Sequence, residues 1–187
     1  MTAKKEDYRW LYKWAAHLNE KHVLELGCGA GLDTAELQKY AKSVVATDLA
    51  SNESTSTVQL DHSKPLPFKD NAFDIVVASL CLHYFSWDIT TSILSDISRI
   101  LRAKGLLICR LNSIHDYNYG ARGYPEIEPN LYLVDGEAKR FFDLKDIERL
   151  FAPRWQLVEL RESSIDRYNV PKCVWEFGAI NTFDETL

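Results

Sequence analysis

The sequence predicts an α/β protein: a doubly wound, mostly parallel sheet with helices on both faces. Three observations carry this. Short apolar runs alternate with helical stripes from residue 22 to 111, the rhythm of strands joined by crossover helices. Several of those runs are apolar throughout rather than every second residue, as in strands covered on both sides. And V-L-E-L-G-C-G-A-G-L-D at 23–33 reads as a strand turning through glycines into a helix, a place where backbone can approach a ligand and unpaired N–H groups point outward.

Taken in order, Tyr8, Leu11, Tyr12, Ala15 and Leu18 recur at helical spacing, predicting an amphipathic helix over about 4–20. A first strand follows at 22–26 and a helix at 32–41, which Asp33 or Thr34 caps. S-V-V-A-T-D at 43–48 is a second strand, and a short third one falls at 58–60. Pro65 and Pro67 break the chain before F-D-I-V-V-A-S at 73–79, a fourth, fully apolar strand. Ile89, Ile93, Leu94, Ile97, Ile100 and Leu101 form a helical stripe, and Lys104–Gly105 turns it into a fifth strand at 106–111. Residues 112–139 are rich in Tyr, Asn, Gly and Glu without a sustained period, a long insertion. A helix at 144–151 and two β-runs at 156–162 and 173–180 end the chain as an antiparallel hairpin. With 187 residues and no repeat or linker, one domain is expected over 1–187.

The chain is 46% hydrophobic and 26% charged, with a net charge of −5. That balance gives no general attraction to nucleic acid phosphates or acidic lipid, and the longest apolar run, near 75–82, is too short to span a bilayer. Cys28, Cys81, Cys109 and Cys173 are scattered, without a C-x-x-C pair, and read as reduced thiols of a cytoplasmic protein. The N-terminal residues lead into an aromatic, charged segment rather than an apolar leader.

Asp48 ends the second strand 21 positions after Gly27, where a doubly wound fold sets a carboxylate against ribose hydroxyls. A dinucleotide loop, G-x-G-x-x-G, needs glycine at position 32, which is Leu32 here. A nicotinamide cofactor is therefore disfavoured.

The chain resembles the class I S-adenosylmethionine-dependent methyltransferases, particularly the small-molecule type related to tellurite-resistance methyltransferases. E-L-G-C-G-A-G is similar to the family's first motif and V-A-T-D-L to its acidic second motif. The stretch L-D-H-S-K-P-L-P-F-K-D-N-A-F-D-I-V-V-A-S-L-C-L-H-Y-F and the segment I-S-R-I-L-R-A-K-G-L-L-I correspond to its later strands and turns. One departure is Ala103–Lys104, where the family commonly has Pro and Gly. The resemblance implies seven strands in the order 3-2-1-4-5-7-6, a Rossmann-like sheet, with S-adenosyl-L-methionine as cofactor and S-adenosyl-L-homocysteine as product. It implies that Gly27, Gly29 and Gly31 line the methionine and ribose side, that Glu25 orients the amino group, and that Asp48 holds the ribose hydroxyls with Leu49 against the adenine. Asp61 would accept the adenine amino proton, His62 would stack or pack, and the backbone of Ser79 and Leu80 would face the methionine.

Methyl transfer asks for alignment, desolvation and, for some acceptors, a base. His83, just past the fourth strand, is the candidate general base, with a packed or capping histidine as the alternative. Tyr8 and Tyr12, in an N-terminal lid formed by residues 1–21, and Asn112, Ser113, His115 and Tyr119, at the root of a substrate-side insertion over 112–142, are candidate acceptor-site residues. Ordinary packing or a solvated loop is the other reading for each. No metal site is expected: Cys81 and His83 have no neighbours in sequence to complete one. The expected activity is methyl transfer to a small-molecule acceptor. Two alternatives are a cofactor-binding protein that acts through a protein partner and a nucleic acid methyltransferase, the latter weakened by the acidic balance and the lack of an N-P-P-Y type motif.

Overall fold

The computed structural model describes residues 9–50, 56–152, 154–166 and 168–182. The described residues open with two single-turn helices, Arg9–Tyr12 (α1) and Ala15–Leu18 (α2), followed by strand His22–Leu26 (β1) and helix Leu32–Leu37 (α3). Strands Ser43–Asp48 (β2), Val58–Gln59 (β3) and Phe73–Ser79 (β4) come next, then helix Trp87–Ile100 (α4) and the long strand Leu101–Asn112 (β5). Three short strands, Glu126–Glu128 (β6), Leu131–Val134 (β7) and Glu137–Arg140 (β8), precede helix Leu144–Phe151 (α5). Strands Trp155–Ile165 (β9) and Lys172–Asn181 (β10) complete the set.

Seven strands form one sheet in the order β3-β2-β1-β4-β5-β10-β9. The first five are parallel, whereas β10 runs antiparallel to both β5 and β9. Relabelled within this sheet, the order is the expected 3-2-1-4-5-7-6, the late hairpin placing its second strand inside and its first at the edge.

Alternation along the strands divides the core. Leu24, Leu26, Val76, Ala78, Leu107 and Cys109 face α4 and α5, packing with Phe142, Phe151 and Phe177. Val23, Ile75, Val77 and Ile108 face the other way, against Trp10, Leu11, Trp14 and Leu18. The α4 side is secured by polar ties as well. Arg99 pairs with Asp96 and Asp70 and donates to the carbonyls of Leu66 and Phe68, which pins the proline-containing turn ahead of β4.

Several expected boundaries shift for reasons of packing. The helix expected over 4–20 is split at Lys13–Trp14, because Trp14 is driven under the sheet: a Cβ on Gly178 would lie 2.6 Å from its ring. Tyr12 consequently points outward, 50% exposed, while Trp10 and Trp14 supply the buried aromatic face. Helix α3 is capped by Gly31 in the left-handed region (φ 76°) and not by Asp33 or Thr34. Both of those are spent inside: Asp33 accepts from the Trp10 indole at 3.3 Å, and the Thr34 hydroxyl donates to Glu25 at 2.5 Å. At the α4–β5 turn, Lys104 itself adopts φ 61°, the conformation for which glycine is commoner, and Gly105 has no room for a Cβ, 2.8 Å from the Arg102 carbonyl.

The segment after β5 is not a structureless insertion. It folds into a three-stranded antiparallel sheet, β6-β7-β8, fastened to the main sheet by Ile114 N donating to Phe142 O and Phe142 N to Asn112 O, at 3.1 and 2.8 Å. Arg110 and Glu176, both buried, face each other across β5 and β10 at 2.8 Å. Arg161 reaches the second Glu176 oxygen at 2.8 Å, and the Trp10 ring covers the Arg110 guanidinium at 4.2 Å. Burial pushes the Glu176 carboxyl up, but the two guanidinium groups outweigh it and hold it below the ordinary glutamate value.

Candidate active site

The sheet order reverses between β1 and β4, and a doubly wound sheet opens a crevice at the carboxyl ends of the strands at such a point. A cavity of about 500 Å³ lies there. Glu25, at the end of β1, lines it while 2% exposed, its carboxylate accepting the Thr34 hydroxyl. The chain then passes through Gly27 at φ 70°, where a Cβ would fall 2.5 Å from that of Cys81, and Gly29 at φ 52°, with open space before it. Gly27 is thus required by its conformation and its neighbour, and Gly29 by its conformation.

Asp48 closes this loop from the end of β2. Its Oδ2 accepts from Gly29 N at 2.8 Å and its Oδ1 from Ala50 N at 3.2 Å. The carboxylate is thereby locked in one orientation at the cavity wall, with oxygen lone pairs left for a ligand. Leu49, 66% exposed, stands beside it. Asp61 is turned by bonds from the Ser63 amide and hydroxyl at 2.9 and 2.6 Å, which hold its carboxyl below the usual range. The His62 ring is anchored to the Thr47 hydroxyl at 3.1 Å. Burial lowers its pKa and outweighs the nearby charges of Asp48 and Asp61, favouring the neutral ring.

From the far side of the crevice, Ser79 and Leu80 end β4. Leu80 takes φ 55°, a strained value for a leucine, and donates its N–H to Arg110 O at 3.1 Å; such strain at a cavity wall marks a position fixed by its surroundings. The Ser79 hydroxyl is buried without a hydrogen-bond partner among the described residues.

Of the expected cofactor residues, the structure brings Glu25, Gly27, Gly29, Asp48, Leu49, Asp61, His62, Ser79 and Leu80 to this one cavity. Gly31 is absent from its lining and instead caps α3. His83 is also absent: it is 4% exposed, in the turn Leu82–Tyr84, with its ring stacked on Tyr84 at 4.1 Å. Burial first, then the positive charges of Lys172 and Lys139, pull its pKa well below the normal value. The structure thus buries His83 outside the lining of the cavity, where the packed-histidine alternative also placed it.

Among the described residues, the expected acceptor residues Tyr12, Asn112, Ser113, His115 and Tyr119 do not line the cavity either. Tyr8 lies outside the described residues. Tyr12 faces outward, and Asn112 is fully buried, its amide donating to Arg140 O at 3.4 Å. Ser113 and His115 both bond Glu162 on β9, the His115 contact at 2.8 Å. Tyr119 works one step removed. Its hydroxyl donates to Val170 O at 2.9 Å and its ring lies 5.4 Å from that of Tyr168. Asn118 donates to Pro171 O at 2.9 Å, and buried Asp116 accepts from Lys172 Nζ and Cys173 N at 2.8 and 3.0 Å. Together these bonds hold the β9–β10 turn, and that turn carries Tyr168 to the cavity wall.

Five lining residues went unnoticed in the sequence as acceptor-side candidates: Tyr84, Phe85, Glu137, Tyr168 and Cys81. One signal was present. Asp135–Gly136, both at positive φ (53° and 87°), is the two-residue turn of the β7–β8 hairpin and delivers Glu137. No three-residue His, Cys, Asp or Glu grouping suited to a metal occurs among the described residues. No helix there is long and apolar enough to cross a membrane.

The sheet order and the glycine-loop crevice define the class I S-adenosylmethionine-dependent methyltransferase fold, the cofactor of that class being S-adenosylmethionine. Residues 24–109, just under half of the chain, match the methyltransferase domain family. It is 23% identical over 186 residues to the uncharacterized methyltransferase YcgJ of Bacillus subtilis, covering 90% of this chain and 68% of that protein. A human protein, the mitochondrial arginine-hydroxylase NDUFAF5, is 34% identical over 95 residues. That match takes in 46% of this chain but spans only 27% of the human protein. Among solved structures, the Burkholderia thailandensis 1,6-didemethyltoxoflavin-N1-methyltransferase, with its substrate and S-adenosylhomocysteine bound, superimposes with a TM-score of 0.71 at 20% identity. It aligns with 95% of this chain and 80% of its own.

Proposed function

We propose that this protein transfers a methyl group from S-adenosylmethionine to a small-molecule acceptor. The observation that carries the reading is Asp48: a carboxylate fixed by the glycine-loop amide at 2.8 Å on the wall of the cavity that Glu25, Gly27 and Asp61 also line. Asp48 would take both ribose hydroxyls, Asp61 the adenine amino group beside Leu49, and Glu25 the methionine ammonium. The glycines at 27 and 29 would let the backbone approach, and His62 would wall the pocket.

When bound, the cofactor supplies a methyl on a sulfonium: the acceptor lone pair forms the new bond to carbon as the C–S bond breaks, its electron pair passing to sulfur. The side chains contribute alignment and exclusion of water. Buried His83 would support the turn that carries Tyr84, without proton transfer. In this reading the chain works as one domain, with residues 1–21 as an N-terminal lid and 112–142 as a substrate-side insertion. The four free thiols support a reducing, cytoplasmic setting.

Calorimetry with S-adenosylhomocysteine tests the proposal. Wild-type protein should bind it, and Asp48→Ala should weaken binding by at least tenfold, or about 1.4 kcal/mol. No binding to the wild type at millimolar ligand overturns it. A second reading, a cofactor-binding protein acting through a protein partner, draws on one observation: the human relative, similar over 46% of this chain, is named for a hydroxylation. Bound S-adenosylhomocysteine without methyl transfer to any acceptor in a broad panel would favour that reading.

A further inference from the structure

We propose that the acceptor subsite is the cavity mouth formed by Tyr84, Phe85, Tyr168 and Glu137, and that it takes an uncharged or cationic planar aromatic molecule presenting an N–H or O–H to Glu137. This rests on the methyl-transfer reading above, which assigns the glycine loop, Asp48 and Asp61 to the cofactor. The four mouth residues come from different elements: the turn after β4, the start of β8 and the β9–β10 turn. Three of the four are aromatic, and aromatic faces bury flat molecules with little loss of side-chain entropy. Tyr84 and Tyr168 are 45% and 39% exposed, surface that a ligand would cover.

The charge pattern of the wall is one-sided. Glu25, Asp33, Asp48, Asp61 and Glu137 line the cavity, and no lysine or arginine does among the described residues. Two lysines near the cavity are paired with carboxylates of the described residues. Lys172 is buried in its pair with Asp116, and Lys139 lies 3.7 Å from the Glu137 carboxylate without lining the cavity. An anionic acceptor would enter beside Glu137 with no lining cation among the described residues to pair it, whereas a donor group would meet Glu137 as a charge-assisted partner. The Tyr119, Asn118 and Asp116 bonds to the β9–β10 turn make these three positioning residues for Tyr168.

The test uses two probes of one shape, naphthylmethylamine and naphthoate, titrated into the full chain saturated with S-adenosylhomocysteine and followed by ligand-observed NMR. The amine should bind about tenfold or more tightly than the carboxylate. Glu137→Gln should reduce that preference to about threefold or less, and Tyr168→Ala should weaken both probes about tenfold. S-adenosylhomocysteine affinity, measured separately on each variant, reports whether the site is still folded. Equal or tighter naphthoate binding overturns the inference, as does amine binding that neither variant alters, or cofactor-saturated protein that binds neither probe. Failure of S-adenosylhomocysteine itself to bind overturns the methyl-transfer reading instead.

Discussion

At Gly27 the backbone runs at φ 70° while the ideal Cβ position lies 2.5 Å from Cys81 Cβ. A side chain there meets a conformational cost of about 1 kcal/mol and an overpacking cost of about 1–3 kcal/mol. Gly27→Ala should therefore lower stability by about 2–4 kcal/mol in urea denaturation. In a Cys81→Gly background the same change should cost at least about 1 kcal/mol less, because only the backbone term remains; an equal cost in both backgrounds would refute the contact. Gly27 and Asp48 were legible in the sequence because their roles are local: a conformation in a tight loop and a carboxylate at a strand end. His83 was not legible in the same way. Its position after β4 suggested access to the reacting methyl, but its turn packs against β8, more than fifty residues away in the chain, and the ring is buried. Tyr168 shows the converse, reaching the cavity from a segment without periodicity.

Among the elements, the parallel half of the sheet could be read strand by strand, since each apolar run is flanked by its own turn residues. The segment after β5 could not, although its Asp135–Gly136 turn marks the β7–β8 hairpin. The hairpin's strands are only four residues each, too short to display a period. What holds this region to the sheet is long-range and polar. Asp116 and Lys172, 1% and 8% exposed at their side chains, join the root of the insertion to the first residue of β10. Burial lowers the Lys172 pKa while Asp116 opposes the change. Removing one member of a buried pair strands the other, at a cost of about 3–5 kcal/mol. Asp116→Ala should lower the urea midpoint accordingly. Exchange of the β10 amides should rise ahead of those of β1 and β4; uniform protection would show that the pair does not organise this edge.

Across the whole molecule, burial sets the response to acid. His62 lines the cavity and His83 does not, and burial pulls both below the normal value of 6.5. The sign follows from proton linkage. Below pH 6.5 the unfolded chain protonates both rings while the folded chain resists. The unfolded state then binds more protons, and stability falls as pH drops toward the depressed folded values. The stability these two neutral rings contribute is complete above pH 6.5. The carboxylates held low by partners, such as Glu176, act in a separate window: their contribution is present above the ordinary glutamate value of 4.5 and disappears only as pH falls through their lowered folded values. Between about pH 4.5 and 6.5 the buried histidines are thus the groups here that withhold protons on folding. Urea midpoints measured through this interval should fall with pH in the wild type. A His62→Gln, His83→Gln double variant should show a flatter profile, even if its midpoint at neutral pH is lower. An unchanged slope in the double variant would place the acid sensitivity elsewhere.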